Sequence, residues 1–387
     1  MLTVIVFIII LGLLIFVHEL GHFLVARRNG IKAEEFGFGF PPRIFGFIKD
    51  EESGKYKFVP GNKKVESKNT IYSINWVPLG GFVKIKGEDG MDGESPDSFA
   101  GRPAWTRIKV LVAGVIMNFI LAWVLISIAL MIGAPEAIDD SIKDAGDTKV
   151  QVSQVIPGSP ADEMGIKMGD EVVRATNINQ GSVNDIKLVS ELQEFTSDSK
   201  GEEVVIEIKR GREILALSGV LRAEFPEDQG PLGAALVRTA MVSHSWYEAI
   251  WSGLVSTYEL IIVIILALYN IIKDLILGMP VAVDIAGPVG IAVLTHQVTT
   301  LGLVYILQFA AILSINLGII NGLPIPALDG GRILFVLIEK IKGSPISQKI
   351  EHMFHTASFV FLIAIMILVT VRDFMKLDVI GGIKGLF

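Results

Sequence analysis

The stretch Leu14-Ile15-Phe16-Val17-His18-Glu19-Leu20-Gly21-His22-Phe23-Leu24-Val25-Ala26 decides how the chain is read. Residues 1 to 17 carry no charged side chain, and residues 23 to 26 are again apolar until Arg27. The run therefore has the length of a membrane span. A glutamate and two histidines inside a spanning helix are costly, and such groups mark functional sites. On a helix, His18 and His22 stand four residues apart on one face, where both imidazoles can reach one Zn²⁺. Glu19 is then placed to act as general base on water at that metal.

The rest of the chain fits a membrane setting. It has 387 residues, of which 51% are hydrophobic, and a mean hydropathy of +0.55. The net charge of −7 and the absence of a long basic block argue against nucleic acid as a partner. There is no cysteine, which excludes disulfides, thiolate catalysis and Cys-based zinc sites. Any metal must be held by histidine and carboxylate. The N-terminus lacks the basic region of a signal peptide, and the metal motif sits where cleavage would fall, so the first helix reads as retained.

Five apolar segments are candidates to span: about 2 to 25, 105 to 133, 248 to 278, 300 to 323 and 354 to 371. Arg27 and Arg28 follow the first, while Arg102, Arg107 and Lys109 precede or open the second. Glu136, Asp139 and Asp140 flank the far end of the second. The positive-inside rule places 27 to 104 in the cytoplasm and the polar region 137 to 243 outside.

A second motif, Asn321-Gly322-Leu323-Pro324-Ile325-Pro326-Ala327-Leu328-Asp329-Gly330-Gly331-Arg332, follows an apolar run. Its two prolines cannot continue a regular helix. Broken backbone at membrane depth is tolerated only where it lines a cavity or is buried in protein. A carboxylate there is a natural third zinc ligand, completing with two histidines and a water a four-coordinate catalytic site. The plainer reading is a surface turn in which Asp329 caps the next helix. Glu339, further downstream, is the rival third ligand.

His18-Glu19-Leu20-Gly21-His22, the downstream Asn-x-x-Pro-x-Pro-x-x-Asp-Gly motif and the intervening polar region together resemble the site-2 protease family. Within it the chain is similar to the bacterial regulator-of-sigma-E protease type with one PDZ domain. The resemblance covers nearly the whole chain. It implies one Zn²⁺ held by His18, His22 and Asp329, with Glu19 as catalytic base. Asn321 and Asn316 are implied as groups that hold the substrate backbone or the developing oxyanion. The implied activity is endoproteolysis within the bacterial plasma membrane, on single-span proteins such as pre-cleaved anti-sigma factors or remnant signal peptides. Rival readings are a catalytically silent membrane scaffold and a metalloprotease of another class using Glu339.

The fold expected is a polytopic α-helical membrane protein with about four spans, a membrane-associated β-sheet region and an inserted PDZ-like α+β domain. Its parts are a first span at 1–26, a β region at 27–104, a second span at 105–133 and a PDZ-like domain at 137–225. An interfacial segment at 226–299, a third span with the ligand motif at 300–332 and a fourth span at 354–372 complete it. Parity drives the count. If 248 to 278 crossed, Asp329 would lie a bilayer away from His18 and His22, so that segment is expected to lie amphipathically in the outer interface or to enter partway.

In the β region, Phe36-Gly37-Phe38-Gly39-Phe40-Pro41-Pro42 is too glycine-rich for a helix. Residues 72 to 86 read as a second pair of strands around Gly80-Gly81. The family likeness makes this a sheet beside the active site, with Gly37, Phe38 and Gly39 among the substrate-binding residues, since an exposed strand edge captures an extended chain. Residues 49 to 68 read as a solvated loop. Residues 152 to 173 resemble a PDZ core, a domain that either binds peptide or excludes substrates with bulky outer parts. Asn118, an amide within the second span, either hydrogen-bonds near the active site or serves helix packing.

Overall fold

The computed structural model describes residues 2–63, 65, 67–88, 95–141, 148–211, 213–226, 229–278, 287–344 and 346–376. The expected segments 27–104, 137–225 and 226–299 each include a few residues outside this set. In chain order the elements begin with α1 (Leu2–Arg28), β1 (Ala33–Lys49), β2 (Tyr56–Pro60), β3 (Ile71–Ile85) and α2 (Ala104–Ile132). Then come β4 (Ala134–Ala137), β5 (Thr148–Val155), α3 (Pro160–Glu163), β6 (Glu171–Asn177), β7 (Ser182–Asp185) and α4 (Val189–Asp198). They are followed by β8 (Glu203–Arg210), β9 (Glu213–Val220), β10 (Ala234–Val242) and α5 (Trp246–Leu277). The chain closes with α6 (Pro288–Leu301), α7 (Leu303–Gly322), α8 (Asp329–Lys342) and α9 (Gln348–Lys376).

Two compact units result, residues 1–128 with 247–387, and Ala129–Trp246. Among the described residues, five helices are long and apolar enough to cross a membrane: α1, α2, α5, α7 and the body of α9. Their continuous apolar runs leave the main-chain polar groups satisfied inside each helix, which a hydrocarbon setting demands. The run expected from 300 begins later, at Leu303, because Gly302 breaks α6 from α7 with φ +118.

Inside the first unit, α1, α2 and α7 form the frame of the site. Ser314 Oγ on α7 donates to the Asn118 carbonyl on α2 at 2.8 Å. Ala26, Ile31, Ile85, Val110 and Val336 are buried together, joining the end of α1 to β3, α2 and α8. The amide of Gly290 donates to the buried Asp373 carboxylate on α9 at 2.8 Å, so α9 caps the first turn of α6. On α5, Ala249, Gly253 and Thr257 are buried. Trp123 Nε1 donates to the Ile250 carbonyl at 2.8 Å, and Gly253 lies against Ser127.

The sheet of this unit has the order β2-β1-β3. The two arms of β3 flank one arm of β1, since Phe36 pairs with both Val83 and Tyr72, and Gly37 with both Phe82 and Ser73. The strands around Gly80-Gly81 thus pair with β1 between them and not with each other. Residues 49 to 68 are corrected more directly. Tyr56–Pro60 is a strand, paired with Phe45–Lys49, in the stretch read as a solvated loop. Its alternation is short and flanked by lysines, and the Phe58 ring stacks on Phe45 at 5.9 Å. That cross-strand aromatic pairing is what stabilises the hairpin.

The second unit is built on a sheet of order β4-β10-β5-β6-β8-β9, with β7 paired to β6. Val150, Val152, Val204, Ile206, Ile208 and Leu192 are almost wholly buried between sheet and α4. Each such side chain contributes about 1.5–3 kcal/mol through burial. Ser159 Oγ accepts the Asp162 amide at the start of α3, with Pro160 in its first turn. Arg210 holds Asp170 through two bonds of 2.8 and 2.7 Å and also reaches the Gly165 carbonyl. The sheet extends past residue 225 to include β10, whose run Ala234–Val242 has no clean polar alternation to announce it.

Candidate metal centre

His18 and His22 project from the same face of α1, and both are buried. Asp329 reaches them from the first position of α8, at the end of the proline-broken turn after α7. His18 Nε2 lies 2.9 Å from Asp329 Oδ2, His22 Nε2 lies 3.3 Å from the same oxygen, and the two Nε2 atoms are 3.1 Å apart. One donor atom from each of the three lies within 4.8 Å of the others. Two imidazole nitrogens and one carboxylate oxygen, 311 positions apart in sequence at the extremes, form a donor set suited to zinc and leave a fourth position for water or substrate. The residues fit the ion.

Local structure explains the convergence. The last turn of α7 and Leu323–Leu328 fold back so tightly that a Cβ on Gly331 would lie 2.1 Å from the Ile325 carbonyl oxygen, and one on Gly330 2.2 Å from that of Leu323. Only glycine fits after Asp329. On α2, a Cβ on Gly114 would lie 2.5 Å from His22 Nε2 and 2.8 Å from His18 Cε1. That glycine lets the imidazoles pack against the neighbouring helix. His22 Nδ1 donates to the Val110 carbonyl at 2.8 Å, which orients the ring with Nε2 toward Asp329.

His18 and Asp329 face a cavity of about 200 Å³ lined by Ile15, His18, Glu19, Leu317, Asn321, Ala327, Leu328 and Asp329. Ile15, Leu317, Ala327 and Leu328 give it an apolar side, and it has room for several waters. Glu19 opens into it beside His18. Asn321 does too, with Nδ2 3.4 Å from His18 Nε2. Asn316 and Gly37–Gly39 are not part of that lining. Phe38 packs against α1, 6.4 Å from the Phe16 ring, and Asn75 Nδ2 donates to the Gly39 carbonyl at 2.8 Å, so this stretch belongs to the sheet beside the helix.

Glu339 stands elsewhere. It forms an ion pair with Arg107 on α2 and accepts the Ile346 amide at 3.1 Å. Next to it Lys340 lies 4.0 Å above the Trp105 ring. These contacts anchor α8 to the start of α2. Arg332, one turn from Asp329, pairs with Glu88. Sequence reasoning missed Gly114, the Val110 carbonyl and the Arg332–Glu88 pair. Each depends on helix crossings that no local pattern announces.

Comparison with known proteins agrees with this geometry. A family model described as Peptidase family M50 matches residues 6–365. The chain is 32% identical to the Regulator of sigma-W protease RasP of Bacillus subtilis, over 97% of this chain and 99% of that protein. It is 32% identical to a putative zinc metalloprotease of Clostridium perfringens, over 93% of this chain and 95% of that one. The zinc metalloprotease RasP of Bacillus licheniformis is 30% identical over 97% of this chain. The chain belongs to peptidase family M50, the site-2 protease family, and is a zinc metalloprotease with the helices of a membrane protein.

Proposed function

We propose that the chain is an intramembrane endopeptidase that cuts the transmembrane segments of single-span proteins, with zinc held by His18, His22 and Asp329. The observation that carries this reading is the meeting of His18 and His22, on a helix apolar and long enough to lie in a bilayer, with Asp329, seven residues past the end of another such helix, α7. Zinc held there supplies Lewis-acid chemistry, polarising a carbonyl and making water more acidic. Glu19, facing the same cavity, takes the proton from the attacking water and delivers it to the amide nitrogen as the C–N bond breaks. The Asn321 amide donates to the carbonyl oxygen as negative charge grows on it. The ion pair of Glu339 with Arg107 favours Asp329 over the rival third ligand.

A substrate helix must unwind before its backbone can be cut. The sheet lies against α1 where that would happen: a Cβ on Gly81 would meet Phe16 Cα at 2.7 Å and Glu19 Cβ at 3.2 Å. Among the described residues the arm Gly81–Ile85 pairs with β1 on one side only, which leaves its outer edge to take an extended chain by strand addition. Exposed Phe47, Phe58, Tyr56 and Trp76 suit a sheet that touches the membrane interface.

The topology follows the same logic. Asp329 at the end of the α7 turn meets the C-terminal half of α1, so α1 and α7 cross in the same sense, and the chain between α2 and α7 makes no net crossing. The unit Ala129–Trp246, with its strand, Pro/Gly turn, short helix and Gly169-Asp170 turn, is read as a PDZ-like domain outside the cytoplasm. By likeness to the sigma-W regulator protease, a pre-cleaved anti-sigma factor is the substrate expected. Incubating the purified chain with a single-span membrane substrate tests the reading. Chelator-sensitive cleavage inside the span supports it, and cleavage confined to the soluble part overturns it.

A further inference from the structure

The two histidines meet α2 in different ways. His22 Nδ1 donates to a backbone carbonyl, an acceptor only, so its proton is fixed on Nδ1 and its Nε2 lone pair points at Asp329. His18 Nδ1 instead lies 3.1 Å from the amide nitrogen of Asn118, a donor only. Taken as a donor, that nitrogen would put the His18 proton on Nε2, 2.9 Å from Asp329, yet Asn321 Nδ2, 3.4 Å from the same Nε2, is also a donor and needs a lone pair there. A metal ligand needs the opposite tautomer, with Nε2 bare and Nδ1 donating. Asn118 is fully buried, and its own Oδ1 is buried with no hydrogen-bond partner.

We propose that Asn118 is the positioning residue for His18, turning its amide about χ2 so that Oδ1 accepts the Nδ1 proton and Nε2 is freed for zinc. This rests on the ligand set proposed above. The amide is suited to the exchange because it offers a donor on one side and an acceptor on the other. Nothing bonds Oδ1 where it stands, so no hydrogen bond to that oxygen opposes the turn. The backbone stays fixed meanwhile, since Ser314 Oγ holds the Asn118 carbonyl and Gly114, one turn earlier, sits against both imidazoles. A residue that served packing alone would need no polar atom on the Nδ1 side of His18.

Zinc affinity of the full-length chain in detergent, measured by competition with a chelator of known affinity, tests this with two variants. Asn118→Leu keeps the volume and removes both polar groups, and zinc binding is expected to weaken about 10–100-fold. Asn118→Asp keeps an acceptor toward Nδ1, and binding at least as tight as the parent is expected. Wild-type affinity in Asn118→Leu, or equal losses in both variants, would overturn the proposal in favour of packing. Should Asn118→Asp fail to fold, nitrogen NMR of the zinc-loaded parent labelled in histidine decides. A hydrogen-bonded proton on His18 Nδ1 is expected, and a bare Nδ1 would overturn the proposal. His18→Ala separates the two layers, because unchanged zinc binding there overturns the ligand set itself.

Discussion

At the scale of single residues the site depends on groups that cannot be exchanged for near relatives. Glu19→Gln keeps shape and removes the base, so cleavage should fall by about 10²–10⁴-fold while zinc content stays at one per chain, measured by metal analysis beside a cleavage assay. Asp329→Ala should lose zinc, whereas Glu339→Ala should still bind one zinc, weakened only as far as in Arg107→Ala, since Glu339 is paired with Arg107. Gly114→Ala forces a methyl to within 2.5 Å of His22 Nε2 and should slow cleavage about 100-fold by displacing the imidazoles. The chemistry was legible because His18, Glu19 and His22 form one helical turn and Asp329 closes a proline-broken one. Gly114 and Asn118 were harder to assign. A glycine or a single amide in an apolar helix says nothing of what crosses it, and only the packing of α1 on α2 gives each its role.

Elements place those residues, and their ties are polar contacts at helix ends. α8 carries Asp329 and is held by Arg107–Glu339 and by Lys340 over Trp105. Arg107→Ala should loosen α8 and lower zinc affinity without touching a ligand, which chelator competition would detect as a fall against the parent chain. In the second unit, Arg210→Ala leaves the Asp170 carboxylate buried without its bidentate partner and should cost about 2–3 kcal/mol in unfolding free energy, measured by thermal unfolding of the full chain. Apolar runs announced α1, α2 and α7 from sequence to within about three residues, because a span is a length and a composition. β2 was hidden, since Tyr56–Pro60 is short and set among lysines, and its stability comes from Phe45 and Phe47 across the strand. β10 was hidden likewise, as its register with β5 is fixed by main-chain pairing and not by a pattern of its own.

For the whole molecule, the two halves of the metal site lie 311 positions apart, and the proposed topology has α1 and α7 cross in the same sense to bring them together. The absence of cysteine makes this directly measurable by single-cysteine labelling with a membrane-impermeant reagent on intact cells. Asn179→Cys should label and Ser53→Cys should not. Ser243→Cys and Leu277→Cys, at the two ends of α5, should both label, whereas labelling of only one would make α5 a span and break the parity argument. The most direct test of the central claim joins metal, base and membrane substrate in one assay. The purified chain, loaded with one zinc, is compared with Glu19→Gln on a single-span protein in bilayer discs. The account predicts cleavage within the span by the parent, and cleavage slower by about 10²–10⁴-fold by Glu19→Gln despite its full zinc. Cleavage at the parent's rate by Glu19→Gln would contradict it.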